Sequence, residues 1–199
     1  IEPEKVGQLM RDIAVYEGSE VVRWALQLSP YVFCRPGELR HAKWSQMNME
    51  EGLWILPAQA MKSRREDHIV PLSTQAIKIL RSIKPITSCS VYVFPSVLTI
   101  NRPLSDGTIN VALRKLDILK EQMCAHGFRS MARTLLEEEL GYPGHIINFQ
   151  LSQKVVDPLG RAYNRAKYLK ERRVMMQDWA DYLDRLSLSR CSERGILLS

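Results

Sequence analysis

The sequence predicts a mainly helical α+β domain with a small three-stranded antiparallel sheet. Three observations predict it. Apolar residues recur at helical spacing along most of the chain, as in Val6, Leu9, Met10 and Ile13, and again in Ile109, Ala112, Leu113 and Leu116. The β-prone runs are few and short: Leu53-Trp54-Ile55-Leu56, His68-Ile69-Val70-Pro71 and Val91-Tyr92-Val93-Phe94-Pro95. At 199 residues, 45% of them hydrophobic, the chain suits one compact domain with a sizeable core.

The first helix is expected from Glu4 to Ile13. Gly18-Ser19 breaks the chain, and Ser19 is placed to cap a second helix through Val21, Val22, Trp24, Ala25 and Leu28. Ser29-Pro30 marks a kink or an end, although the apolar pattern continues to Phe33. Next comes Cys34-Arg35-Pro36-Gly37-Glu38-Leu39. Proline suits the first position of a helix, where its missing N–H costs nothing. Arg35 then stands at a helix mouth whose free N–H groups favour an anion; the alternative is a helix cap with an exposed arginine.

The first two β-prone runs flank Met61-Lys62-Ser63-Arg64-Arg65-Glu66-Asp67. This reads as a hairpin presenting Lys62, Arg64 and Arg65 at or near its tip, suited to a DNA groove or simply solvated. Ser73-Thr74 caps a helix running through Ala76, Ile77, Ile79 and Leu80 to Ile83. Val91 to Pro95 is expected to close the sheet as its third strand. After a loop from Ser96 to Leu104, Ser105 and Asp106 open a helix with Arg114 and Lys115 exposed.

His126-Gly127-Phe128-Arg129 precedes Ser130-Met131-Ala132-Arg133. A helix starting near Gly127 puts His126 and Arg129 on one face of its first turn, either as an anion site or as a core histidine beside a surface arginine. Glu137-Glu138-Glu139 reads as a solvated face, and Gly141-Tyr142-Pro143-Gly144 as a loop. A short helix through Ile146, Ile147, Phe149, Gln150 and Leu151 ends near Ser152-Gln153. The turn Asp157-Pro158-Leu159-Gly160 leads to Arg161-Ala162-Tyr163-Asn164-Arg165, a tyrosine between two arginines. Ala166 to Leu186 reads as a long helix that packs Leu169, Met176, Trp179, Tyr182, Leu183 and Leu186, with 187–199 as a frayed tail.

The net charge of +6 favours a polyanionic partner. Cys34, Cys89, Cys124 and Cys191 are scattered with no C-x-x-C pair, which fits free thiols of a cytosolic protein. There is no signal peptide and no apolar run long enough to span a bilayer. No Walker loop, G-x-G-x-x-G, H-E-x-x-H or magnesium-type carboxylate cluster is present. Because it opens on Ile1 and enters helix-like sequence directly, the chain reads as a fragment lacking an N-terminal part.

Taken in order, these stretches resemble the catalytic domain of tyrosine recombinases, specifically prophage and genomic-island integrases. Arg35-Pro36-Gly37-Glu38-Leu39 is similar to the family's first arginine box, and Lys62 falls where the family places its hairpin lysine. His126-Gly127-Phe128-Arg129 matches the H-x-x-R box, and Ala162-Tyr163-Asn164-Arg165 resembles the nucleophile box. One departure stands out. The family usually has a histidine, less often a tryptophan, about ten residues before the nucleophile, and here Leu151-Ser152-Gln153 takes that place. Glutamine donates an amide hydrogen bond but carries neither proton nor charge.

The resemblance implies residues 1–186 as the catalytic domain, 187–199 as a tail, and N-terminal DNA-binding domains outside this fragment. It implies attack of Tyr163 on a DNA phosphodiester, giving a 3′-phosphotyrosyl link and a free 5′-hydroxyl, with no metal and no cofactor. Arg35, Arg129 and Gln153 would stabilise the charge on the phosphate. Lys62 would protonate the leaving oxygen, and His126 would orient the phosphate or help deprotonate Tyr163. Glu38 would hold an arginine in place, while Arg64, Arg65, Arg161 and Arg165 would contact DNA. The expected partners are double-stranded attachment-site DNA, other protomers in a synaptic assembly and accessory DNA-bending proteins, all in the bacterial cytoplasm and away from membranes. Two other readings keep the DNA substrate: a type IB topoisomerase-like enzyme, and a DNA-binding remnant with impaired catalysis. A plain basic helical module is the third.

Overall fold

The computed structural model describes residues 2–58, 67–153 and 168–189. The described helices are α1 (Pro3–Ala14), α2 (Glu20–Val32), α3 (Pro36–Arg40), α4 (Thr74–Thr87), α5 (Thr108–Lys115), α6 (Gly127–Glu138), α7 (Gly144–Gln150) and α8 (Leu169–Leu188). The strands are β1 (Met47–Asn48), β2 (Leu53–Leu56) and β3 (His68–Pro71), antiparallel in the order β1-β2-β3. The predicted class therefore holds: mainly helical, with a small three-stranded antiparallel sheet.

Helix α2 is the central post, packed against α1, α4, α5, α6 and α8. Its apolar stripe explains this position: Val22, Ala25, Leu26, Leu28 and Val32 are all buried. Pro30 does not end the helix, which runs on to Val32 and closes at Phe33 in the left-handed region, φ 32°. The helix end leaves the Pro30 carbonyl without a helical donor, and Trp179 Nε1 of α8 supplies one at 2.9 Å. Trp179 itself is fully buried, its ring edge-on to Phe33 at 6.1 Å. Truncating such a residue to alanine typically costs about 3–5 kcal/mol, so this contact is a principal joint between α2 and α8. At the other end of α8, Gly7 of α1 lies so close to Leu186 that a Cβ would stand 2.4 Å from its carbonyl oxygen.

Several local expectations change. Val91 to Pro95 is not the third strand: this stretch makes only isolated bridges, Lys43 with Tyr92 and Pro95 with Pro103. Pro95 has no N–H to extend a ladder, and Val93 N and Val91 O are taken by Ala42 O and Trp44 N. The third strand is instead β1, Met47 opposite Trp54 and Asn48 opposite Leu53. Ser73 caps α4 as expected, its Oγ accepting from Ala76 N at 3.3 Å, whereas Ser19 sits at the N-cap position of α2 without a side-chain capping bond. Helix α5 opens at Thr108 and not at Ser105 or Asp106. Ser105 shares a hydrogen bond with the Thr108 hydroxyl, and Asp106 lies 3.5 Å from Arg40 Nε. Helix α8 runs through Ser187 and Leu188, two residues read as tail.

Candidate active site

Arg35 is the N-cap of α3, with Pro36 in the first turn as the sequence predicts. The group at this helix mouth is the chain's own carboxylate. Glu38 Oε2 accepts from the Arg35 backbone N at 3.0 Å, and its Oε1 accepts from Arg35 Nη1 at 2.8 Å. The Glu38 residue is only 7% exposed, while the Arg35 side chain keeps 38% of its surface open. A buried carboxylate thus fixes one edge of a guanidinium that still faces solvent.

Arg129 lies in the first turn of α6 and is 6% exposed. Its two terminal nitrogens donate to backbone carbonyls at two different helix ends, Nη1 to Phe33 O at 3.1 Å and Nη2 to Leu151 O at 2.6 Å. Burial pulls its pKa down, the neighbouring Arg35 charge adds to that, and Glu38 opposes it. The sequence left open whether this arginine lay at the surface; it is in the core, and it is His126 that is exposed. His126 occupies the N-cap of α6 without a side-chain capping bond.

The end of α7 gathers these groups. Ser152 adopts φ 52°, and Gln153 N reaches back to Asn148 O at 2.9 Å. The carbonyls of a helix C-terminus lack helical donors and carry the negative end of its dipole, so cationic donors suit them. Three successive carbonyls here meet side-chain nitrogens, two of them from arginines. His68 Nε2 lies 3.0 Å from Gln150 O, Arg129 Nη2 is on Leu151 O, and Arg35 Nη2 is 3.5 Å from Ser152 O. Gln153 follows directly and is exposed. The structure therefore brings Arg35, Glu38, Arg129 and Gln153 to one turn, with His126 at the start of the helix that carries Arg129.

Lys62, Arg64, Arg65, Arg161, Tyr163 and Arg165 lie outside the described residues. The strands that bracket the lysine connection pair as a hairpin should, from Leu53 opposite Pro71 to Leu56 opposite His68. Tyr168 precedes α8 with φ 62°, and its ring packs on His145 at 5.1 Å and on Phe149 at 5.3 Å. Sequence reasoning missed His68 and Arg172. The first read only as a strand residue and the second as part of a polar helix face, yet Arg172 is 2% exposed and donates to Ile69 O at 2.8 Å. Among the described residues no group of three or more His, Cys, Asp or Glu is placed to hold a metal ion, and no helix is long and apolar enough to cross a membrane.

Comparison with known proteins gives a consistent result. The chain is 37% identical over 181 residues to prophage integrase IntA of Escherichia coli K12, covering 91% of this chain and 43% of that protein. It is 36% identical over 190 residues to the integrase of enterobacteria phage P4, covering 89% of this chain and 43% of that one. With the putative protein IntB of Escherichia coli K12 the identity is 34% over 197 residues, covering 92% and 50%. The chain thus spans about half the length of the curated relatives it matches. The fold is similar to XerA recombinase, with TM-score 0.60, 18% identity, and coverage of 84% of this chain and 62% of that one. It is also similar to a lambda integrase dimer bound to a COC′ core site, with TM-score 0.55, 21% identity, and coverage of 78% and 47%. Residues 1–168 match the phage integrase family, and the chain belongs to it.

Proposed function

We propose that this chain is the catalytic part of a site-specific tyrosine recombinase that integrates or excises a mobile element in bacterial DNA. The observation that carries this is the pairing of Arg35 and Arg129 on the last turn of α7, with Glu38 buried between helix mouth and guanidinium. Two fixed, planar cations suit the non-bridging oxygens of a phosphodiester under in-line attack, where negative charge accumulates. By analogy with other charge-stabilising donors, each is worth roughly 3 kcal/mol or more of barrier.

Tyr163 Oη attacks the phosphorus, the P–O5′ bond breaks, and the 3′-phosphate becomes linked to the tyrosine. Lys62 gives its proton to the departing 5′-oxygen. His126 orients the phosphate or helps take the tyrosine proton, which a phenol of pKa near 10 does not release unaided at neutral pH. Gln153 donates its amide N–H to a phosphate oxygen, filling the positional role of the family's histidine but not a proton-carrying one. The phosphotyrosine keeps the bond energy, so a second 5′-hydroxyl rejoins the strand by the reverse step without ATP. Arg64, Arg65, Arg161 and Arg165 supply contacts to the DNA backbone. Other protomers complete the assembly, as the dimeric and tetrameric DNA-bound lambda integrases suggest, with accessory DNA-bending proteins as further partners. The site of action is the bacterial cytoplasm.

The test is incubation with supercoiled plasmid in EDTA. Relaxation and protein-linked DNA are expected with the unaltered protein, and no linked DNA with Tyr163→Phe; linked DNA in that variant would remove Tyr163 from the mechanism. Gln153 favours a second reading, a DNA-binding protein with weakened chemistry. A large gain in adduct on Gln153→His would support that reading.

A further inference from the structure

Of the three side chains that meet the last carbonyls of α7, His68 is the one without a role in the chemistry above. It opens β3 and stands opposite Leu56, so it forms the last strand pair before the connection that bears Lys62. Its Nε2 lies 3.0 Å from Gln150 O, one carbonyl before the one held by Arg129. The next residue of the strand, Ile69, is fastened on the other side. Its carbonyl accepts Arg172 Nη2 at 2.8 Å from α8, the helix that follows the segment bearing Tyr163.

Arg172 is an expensive fastener. It is buried, burial pulls its pKa down to about 10, and its Nε has no hydrogen-bond partner among the described residues. An apolar side chain of similar volume would fill such a site without the desolvation cost, so packing alone does not account for a guanidinium there. Consecutive β3 residues are thus tied to the helix ends on either side of the nucleophile segment. A strand held at two adjacent points cannot slip in register or tilt where it leaves the connection, and a slip of one residue would invert every side chain of the hairpin.

We propose that His68 is a positioning residue for strand cleavage, setting the hairpin that bears Lys62 against the helix end held by Arg35 and Arg129, with Arg172 as the second fastening point. The proposal rests on the reading of Lys62 as proton donor to the 5′-oxygen. A lysine misplaced by about 1 Å delivers its proton poorly, at a cost on the order of 100-fold, while DNA binding is unaffected.

The experiment is single-turnover cleavage by the complete protein on duplex DNA whose scissile phosphate carries either the ordinary 5′-oxygen or a bridging 5′-sulfur. A thiolate leaves without prior protonation, so the sulfur substrate bypasses Lys62. His68→Leu is expected to slow the oxygen substrate by about 10- to 100-fold, and the sulfur substrate by less than about 3-fold. His68→Gln, whose amide Nε2 can donate to the same carbonyl, is expected to recover most of the oxygen rate. Arg172→Met should show the same oxygen-selective defect and keeps the test open if His68→Leu does not fold. Equal slowing of both substrates, or no slowing, overturns the proposal. Lys62→Ala separates the layers. If sulfur rescues it but not His68→Leu, the reading of Lys62 stands and the role of His68 falls. If sulfur does not rescue it, the reading of Lys62 falls and takes the proposal with it.

Discussion

The junction of α2 with α3 and the first turn of α6 each deliver one arginine, and they treat it in opposite ways. At the first, Arg35 is neutralised by a formal charge, Glu38, and keeps 38% of its side chain open. At the second, Arg129 is 6% exposed and bonded to two uncharged carbonyls, Phe33 O and Leu151 O. Arg129 therefore has a structural task that Arg35 lacks, because it satisfies two helix ends that would otherwise be buried with bare oxygens. The difference is one between a cation that also fastens the scaffold and a cation that stays partly open to solvent.

Substitutions can sharpen or break this contrast. Arg129→Met should have the largest effect, costing about 1–3 kcal/mol for each carbonyl left without a donor and abolishing DNA cleavage. Thermal unfolding beside an adduct assay reads both losses; a variant that melts like the parent would break the contrast. Glu38→Gln should cost about 1–2 kcal/mol, since a charge-assisted bond becomes a neutral one, and should lower adduct yield by loosening Arg35. Arg35→Lys should change stability by less than about 1 kcal/mol, because the charge is retained at a partly exposed position. It should nevertheless cut cleavage sharply, since an ammonium lacks the planar fork. Unfolding midpoint and single-turnover rate on the same preparation check that split.

The smallest effect involves Cys34, beside both arginines. Burial and the Glu38 charge push its thiol well up, against the pull of Arg129 and Arg35. A raised folded-state pKa means the unfolded chain loses this proton first. Stability from this group is therefore present at low pH and declines once pH passes the ordinary thiol value of about 8.5. Denaturant melts between pH 7 and pH 10 should show that decline, and Cys34→Ala should flatten it.

The helices were legible because periodic apolar residues and a few caps are local signals, and the hairpin because two β-prone runs flank a polar connection. Arg35 and Arg129 were legible as anion-binding candidates because arginines at helix starts have a physical reason to be there. What escaped is non-local. His68 meets Gln150 across 82 residues and Arg172 meets Ile69 across 103, and neither contact leaves a trace in spacing. β1 is two residues long, below any periodic signal, while Val91 to Pro95 has strand-like composition but makes isolated bridges in place of a ladder. Pro30 read as a kink or an end of α2, yet the helix runs on to Val32, with Trp179 Nε1 on the Pro30 carbonyl and Ser29 Oγ on Ala25 O at 2.8 Å.

The close seating of Gly7 against Leu186 joins the first described helix to the last, and Arg11 adds bonds to Leu186 O and Ser187 O at 3.3 Å. During synthesis this joint cannot form until α8 has been made. At typical elongation rates, α1 waits on the order of 10–35 s, its face of Val6, Leu9, Met10 and Ile13 lacking that partner. A chain interrupted after Tyr163 but before α8 would carry every residue assigned to the chemistry and still lack the helix that closes the domain. Synthesis of α8 thus gates the folding of a protein proposed to cut DNA.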